Sequence, residues 1–154
     1  MEHVKFCFFN NNLSEEEKNI LTPKRKSEWA SGFDLSSAEP NEVVVNPGER
    51  ALIPTGIGIS LVPGLEAQIR SRSGLSLKNG IVVLNSPGTI DADYRGEIKI
   101  ILANFGQEPF VVSFGMRIAQ MIIAPVAILE VKLVLSLDES ARGEGGFGST
   151  GLLA

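Results

Sequence analysis

Among its 154 residues the chain has a single cysteine, Cys7, and a single histidine, His3. That excludes a disulfide framework, a Cys/His zinc cluster and a Ser/His or Cys/His nucleophilic pair, and leaves any catalysis to carboxylates, water and a hard cation. No apolar run reaches the roughly twenty residues that cross a bilayer, and the start of the sequence lacks a basic stretch followed by an apolar block. No membrane partner is expected, and the expected compartment is a reducing, cytoplasmic one. A positive surplus is missing too: 14 Lys and Arg against 18 Asp and Glu give a net charge of −4. A polyanion groove needs basic residues gathered on one face, so no nucleic-acid partner is expected and any bound phosphate belongs to a small molecule. There is no Gly-Lys-Ser/Thr loop, and the C-terminal glycines do not lie between a strand and a helix.

With 44% apolar residues, the chain can build one domain around a real core. Residues 4–9 read as a strand, with Cys7 as a small buried hydrophobe. Ser14-Glu15-Glu16-Glu17 has the form of a helix capping box, but Pro23 follows within two turns, so residues 10–29 are expected to form a loop or short helical insert. From Val43 onward, short β-branched runs are cut by turn residues such as Asn46-Pro47-Gly48, Pro63-Gly64, Asn79-Gly80, Ser86-Pro87-Gly88 and Phe114-Gly115. This rhythm predicts an all-β domain, an antiparallel sandwich, jelly roll or barrel. Only Ser73 to Asn79 reads as an internal helix, with a hydroxyl at its start and Gly80 past its end. Residues 117–135 are the most apolar stretch. Strands covered on both faces exceed what a small monomeric sandwich offers, which favours an oligomer; an ordinary core strand pair is the competing reading.

Five segments carry candidate chemistry. Ser31-Gly32-Phe33-Asp34-Leu35 places an aspartate beside a turn glycine. Arg70-Ser71-Arg72-Ser73-Gly74 opens the short helix, where free N–H groups, a hydroxyl and guanidinium groups can seat a phosphate or simply cap the helix. Asp91-Ala92-Asp93-Tyr94-Arg95-Gly96-Glu97 follows a Pro-Gly turn. In extended chain its two aspartates share a face, so that one can serve as a general base while Arg95 holds its neighbour; the plainer reading is a charged hairpin end. Gly115-Met116-Arg117-Ile118-Ala119-Gln120 sets two polar side chains in an apolar strand, where both need partners. Arg142-Gly143-Glu144-Gly145-Gly146-Phe147-Gly148-Ser149-Thr150-Gly151 is a glycine-rich tail with one ring, one guanidinium and two hydroxyls. Such a tail is costly to order alone, and is either an idle terminus or a lid that closes on a ligand.

In order and spacing these segments resemble the five motifs of the homotrimeric dUTPase family, over a span from Ser31 to Gly151 that covers about four-fifths of the chain. The resemblance implies a jelly-roll-like, distorted β-barrel with one short helix, spanning residues 1–141, with residues 142–154 as a flexible lid. It implies a homotrimer with each site assembled from three chains, and hydrolysis of dUTP to dUMP and pyrophosphate. Asp91 matches the general base that activates water for attack on the α-phosphorus. Asn85 and the backbone of Thr89, Ile90 and Asp91 match the hairpin that reads uracil, and Lys99 falls at a nearby contact position. A fixed backbone that pairs with uracil leaves cytosine's amino group facing another donor, an unpaired clash of roughly 1–3 kcal/mol. Tyr94 matches the ring under the deoxyribose.

Arg72, Ser73, Gly74 and Gln120 match phosphate contacts by the same resemblance. Asp34 matches an aspartate that supports the metal and water network, with Mg²⁺ held by the substrate phosphates and waters rather than by protein ligands. In the tail, Phe147 would stack on uracil, Arg142 would hold the γ-phosphate, and Ser149 and Thr150 would add hydrogen bonds. Two points depart from the pattern: Met116 stands where an acidic residue is usual, and the insert 10–29 has no counterpart. A dCTP deaminase-like enzyme shares the fold but needs a differently placed glutamate and has no use for this tail. A nucleotide-sensing interaction module, with the insert as its contact surface, would leave Asp91, Arg142 and Phe147 without a purpose.

Overall fold

The computed structural model describes residues 4–146. Eleven strands and two short helices follow one another as β1 Lys5–Phe8, α1 Glu15–Leu21, β2 Gly32–Ser36, β3 Val43–Val45, β4 Arg50–Pro54, β5 Ile57–Ser60, β6 Leu65–Arg70, α2 Ser73–Asn79, β7 Ile81–Val83, β8 Gly88–Ile90, β9 Lys99–Asn104, β10 Phe110–Val112 and β11 Arg117–Pro125. All strand pairs are antiparallel. The fold is the expected all-β one, and its distortion is visible in the hydrogen bonding. The strands form four small sheets, ordered β1-β5, β10-β3, β2-β11-β6-β8 and β4-β9-β7, rather than one closed barrel.

Period-two burial makes these sheets converge on one core. In β9, Ile100 and Leu102 are fully buried while Lys99 between the turn and the core is exposed; Ile53, Ile57, Ile81, Val112, Ile118 and Met121 meet them from the other sheets. Among the described residues four polar ones are buried in this interior, Ser36, Ser37, Thr55 and Asn104. Asn104, 1% exposed, donates from Nδ2 to the carbonyls of Val45 and Glu108 at 2.8 Å each and accepts the Gly106 N–H at 2.8 Å. Its amide thereby fastens the end of β9 to β3 and to the following turn, with its hydrogen-bonding capacity used.

Of the two forms expected for residues 10–29 the helical one is present, and three other expectations are corrected. The capping box at the start of the insert is strong enough to form α1: Ser14 N–H and Oγ–H both donate to the Glu17 carboxylate at 2.8 Å, and Glu17 N–H donates back to Ser14 Oγ at 3.2 Å. The Ser14 backbone bond, then its hydroxyl, holds the Glu17 carboxyl below its ordinary value, so this support is present above the usual carboxylate range and lost as pH falls through the lowered value. Leu21, 2% exposed, pins the helix to the body of the domain. In α2 the hydroxyl does not cap. Arg72 occupies the N-cap without a side-chain bond and Ser73 is the first helical residue, while Gly80 closes the helix in the left-handed conformation as predicted. Cys7 is exposed, because β1 pairs only with β5 and buries little beyond part of Phe8. The apolar stretch 117–135 is a strand only as far as Pro125.

Candidate active site

The turn from β7, in one sheet, to β8, in another, builds the first half of the site. β8 pairs with β6 in the register Gln68 to Thr89 and Ile69 to Gly88. Gly88 is buried, and a Cβ on it would stand 3.2 Å from Asn85 Nδ2 and 3.4 Å from Ile69 Cβ, so the missing side chain lets Asn85 fold against the turn. Beside this turn lies a cavity of about 620 Å³ lined by Asn85, Thr89, Ile90, Asp91, Tyr94 and Lys99, together with Phe9 and Glu97. Its size suits a small-molecule ligand. The first six are the residues singled out from the sequence for nucleoside contact, and the fold brings them together.

Residues 91–97 are not extended. The Asp91 carbonyl accepts the Tyr94 N–H at 3.1 Å, a tight turn that separates the two aspartates from the shared face expected of a strand. Arg95 does not hold a carboxylate either: its Nη1 donates to the carbonyls of Ala92 at 2.7 Å and Tyr94 at 2.8 Å, fixing the turn. Tyr94 lies over Gly96, where a Cβ would collide with its ring, and its hydroxyl donates to the Glu97 carbonyl at 3.0 Å. Glu97 is a strut that sequence reading missed. Its Oε1 accepts the Gly56 N–H at 2.9 Å and its Oε2 lies 3.7 Å from Lys99 Nζ. The Asp91 side chain is exposed and makes no hydrogen bond or ion pair among the described residues, leaving both oxygens open to a water in the cavity.

The second half is cationic. Asp34 of β2 stands opposite Gln120 of β11, which in turn stands opposite Arg70 of β6. Arg117 Nη1 donates to Asp34 Oδ2 at 2.7 Å and Arg72 Nε lies 3.5 Å from Asp34 Oδ1. Arg72 also donates from Nη1 to the Arg117 carbonyl at 2.8 Å, and Gln120 Nε2 donates to the Ser71 carbonyl at 2.9 Å. One carboxylate thus aligns two guanidinium groups without neutralising them, beside the exposed Ser73 and Gly74 of the first turn of α2. Arg117 and Gln120 find their required partners within the chain. The structure also accounts for Met116. Its carbonyl accepts the Ser37 N–H at 2.8 Å and its side chain packs at the rim of the core, while Arg117 takes its carboxylate from Asp34.

In the sheet order β2-β11-β6-β8, Asp34 lies on the edge strand β2 and Gln120 on β11, while Arg72, Ser73 and Gly74 follow β6, the strand that pairs directly with β8 and its Thr89. Arg142 is engaged locally: its Nε donates to the Gly145 carbonyl at 2.7 Å within its own turn. Phe147, Ser149 and Thr150 lie outside the described residues. Among the described residues no three His, Cys, Asp or Glu side chains gather in the manner of a metal cage, and no helix is long and apolar enough to cross a membrane.

The chain is similar to known proteins in sequence and fold. A family model described as dUTPase matches residues 18–151. The deoxyuridine 5'-triphosphate nucleotidohydrolase of Ehrlichia canis is 56% identical over 136 residues, covering 87% of this chain and 89% of that protein. Its namesake from Rhizobium johnstonii is 54% identical over 132 residues, covering 84% and 85%. Among solved structures, the dUTPase of Staphylococcus bacteriophage 80alpha with dUpNHpp superposes with a TM-score of 0.80 at 29% identity, covering 99% of this chain and 100% of that one. A variant dUTPase from phage phi11 of S. aureus, described with a structural Mg(II) ion, has a TM-score of 0.75 at 25% identity, covering 90% and 100%. With the family model spanning most of the sequence and relatives more than half identical over nearly their whole length, the chain belongs to the dUTPase family.

Proposed function

We propose that the chain hydrolyses dUTP to dUMP and pyrophosphate, lowering dUTP and supplying dUMP for thymidylate synthesis. The observation that carries this is the cavity in which Asp91, with both carboxylate oxygens open, shares a wall with Asn85, Thr89, Ile90 and Tyr94. Uracil pairs with Asn85 and the backbone of Thr89, Ile90 and Asp91, and Tyr94 lies under the deoxyribose, where a 2'-hydroxyl has no room. Asp91 takes a proton from water as the water attacks the α-phosphorus from the side opposite the leaving pyrophosphate. Arg72, Ser73, Gly74 and Gln120 hold the phosphates, with Asp34 keeping the Arg72 and Arg117 guanidinium groups aimed. The donor set fits a Mg²⁺ ion carried on the triphosphate with water completing its shell, since Asp34 is engaged by arginines. Bound there, the ion would neutralise charge developing on the phosphate oxygens. The body of the domain, residues 1–141, presents these groups, and residues 142–154 close over them: Phe147 on the base, Arg142 on the γ-phosphate, Ser149 and Thr150 alongside.

The test is pyrophosphate release from dUTP, dTTP, dCTP and UTP, with and without Mg²⁺. Release from dUTP alone, stimulated by the ion, is expected. Deamination of dCTP, or binding of dUTP without turnover, overturns the assignment.

The same reading makes the working unit a homotrimer in the cytoplasm, with shared sites. One feature supports assembly: the chain after β11 exposes an apolar ridge. Leu129, Val131, Leu133, Leu135 and Leu137, at every second position, are each at least 82% exposed. That spacing is the signature of a strand with one buried face, and a second copy is the occupant that buries it. Leu133→Asp is expected to shift the molecular mass in light scattering from trimer toward monomer and to lower activity with it. A fully active trimer of this variant would remove the ridge from the interface.

A further inference from the structure

One wall of the nucleoside cavity comes from no recognised motif. Phe9 follows β1 and lies outside residues 18–151, the span that matches the family model, yet it lines the same cavity as Asn85, Asp91 and Tyr94. Its place is set by backbone. Phe9 N–H donates to the Gly56 carbonyl at 2.9 Å, and Gly56 N–H donates to the Glu97 carboxylate at 2.9 Å. Gly56, at φ 71°, is the turn that makes both bonds at once. The ring is seated on a second glycine: a Cβ on Gly58 would stand 2.7 Å from Phe9 Cε2 and 3.1 Å from the Gly96 carbonyl oxygen. Tyr94 is seated on Gly96 in the same way. Two rings are therefore stacked onto neighbouring bare stretches of backbone, and both face one cavity.

We propose that Phe9 is a specificity-determining residue, the apolar wall that works with Tyr94 to favour a deoxynucleoside over a ribonucleoside. The proposal rests on the reading that this cavity holds deoxyuridine. A ring edge offers no hydrogen bond, so a 2'-hydroxyl pressed against it loses water and gains nothing, whereas a deoxyribose buries carbon. Apolar walls discriminate against an added hydroxyl by at most about a hundredfold, and Phe9 shares that effect with Tyr94.

Steady-state kinetics on dUTP and UTP test this with Phe9→Ala, Phe9→Leu and Asn85→Ala. Phe9→Ala is expected to raise KM for dUTP about tenfold with kcat within about twofold, and to lower the dUTP-over-UTP ratio of kcat/KM about tenfold. Phe9→Leu, which keeps an apolar wall and is expected to fold whatever Ala does, should recover most of the ratio. An unchanged ratio in both Phe9 variants, or a fall in kcat at constant KM, overturns the role. If Asn85→Ala raises KM while the Phe9 variants behave as the parent, only Phe9 is misassigned; if neither position affects dUTP, the cavity itself is not the nucleoside site.

Discussion

Asp91→Asn is expected to bind dUTP at least as well as the parent and to hydrolyse it roughly 10²–10⁴-fold more slowly, the range over which a positioned general base contributes. The change keeps the shape of the side chain and removes its capacity to accept a proton. Nothing else in the chain leans on that carboxylate: it makes no hydrogen bond or ion pair among the described residues, and the turn below it is fixed by the Asp91 carbonyl and by Arg95. The fold should therefore be untouched. Loss of a negative charge near the phosphates favours binding, so KM should stay level or fall while kcat collapses. Equilibrium binding of dUpNHpp together with pyrophosphate release separates the two effects. A variant that turns over dUTP at the parent rate would require another base, and Asp93, displaced from Asp91 by the turn, would be the next to examine.

Removing residues 142–154 is expected to leave a folded trimer that binds dUTP weakly and hydrolyses it at least about a hundredfold more slowly, because the proposed lid would supply alignment and water exclusion at closure. Folding is spared because every residue of the buried core lies between Leu21 and Met121, and the apolar ridge from Leu129 to Leu137 remains. The turn in which Arg142 caps the Gly145 carbonyl is local, so deleting it releases no contact with the sheets. Thermal melting, light scattering and a rate measurement on the truncated protein address the three claims. Full activity without the tail would reduce it to an idle terminus; loss of the trimer would show that the tail also serves assembly.

Turn chemistry was the most legible layer of this sequence. Gly48, Gly64, Gly80 and Gly115 all take the positive φ that their Asn-Pro-Gly, Pro-Gly, Asn-Gly and Phe-Gly settings suggest, and the bounds of α2 follow from Gly80. The nucleoside residues around Asn85 to Tyr94 were singled out by resemblance to the family's motifs, not by turn chemistry. What the sequence concealed depends on contacts between distant segments. Asp91 to Glu97 looks extended by local pattern, and its turn is held by a guanidinium on backbone carbonyls, a bond with no periodic signal. Phe9 reads as one more ring at the end of a strand; only the pairing of β1 with β5 carries it to Gly58 and so to the cavity. Glu97 reads as a surface charge until Gly56 is seen to donate to it.

The apolar ridge exposed after β11, taken as the seam between copies, has a consequence for inheritance. If each site draws its base pocket and its phosphate grip from different copies, as proposed, a damaged chain disables a site it only half owns. Two alleles, one broken at Asp91 and the other at Arg72, would each be null alone, yet mixed trimers would contain sites that take the intact half from each. Such a gene would show complementation between lesions within a single reading frame, and the pairs of lesions that complement would map which side chains each copy lends to a site.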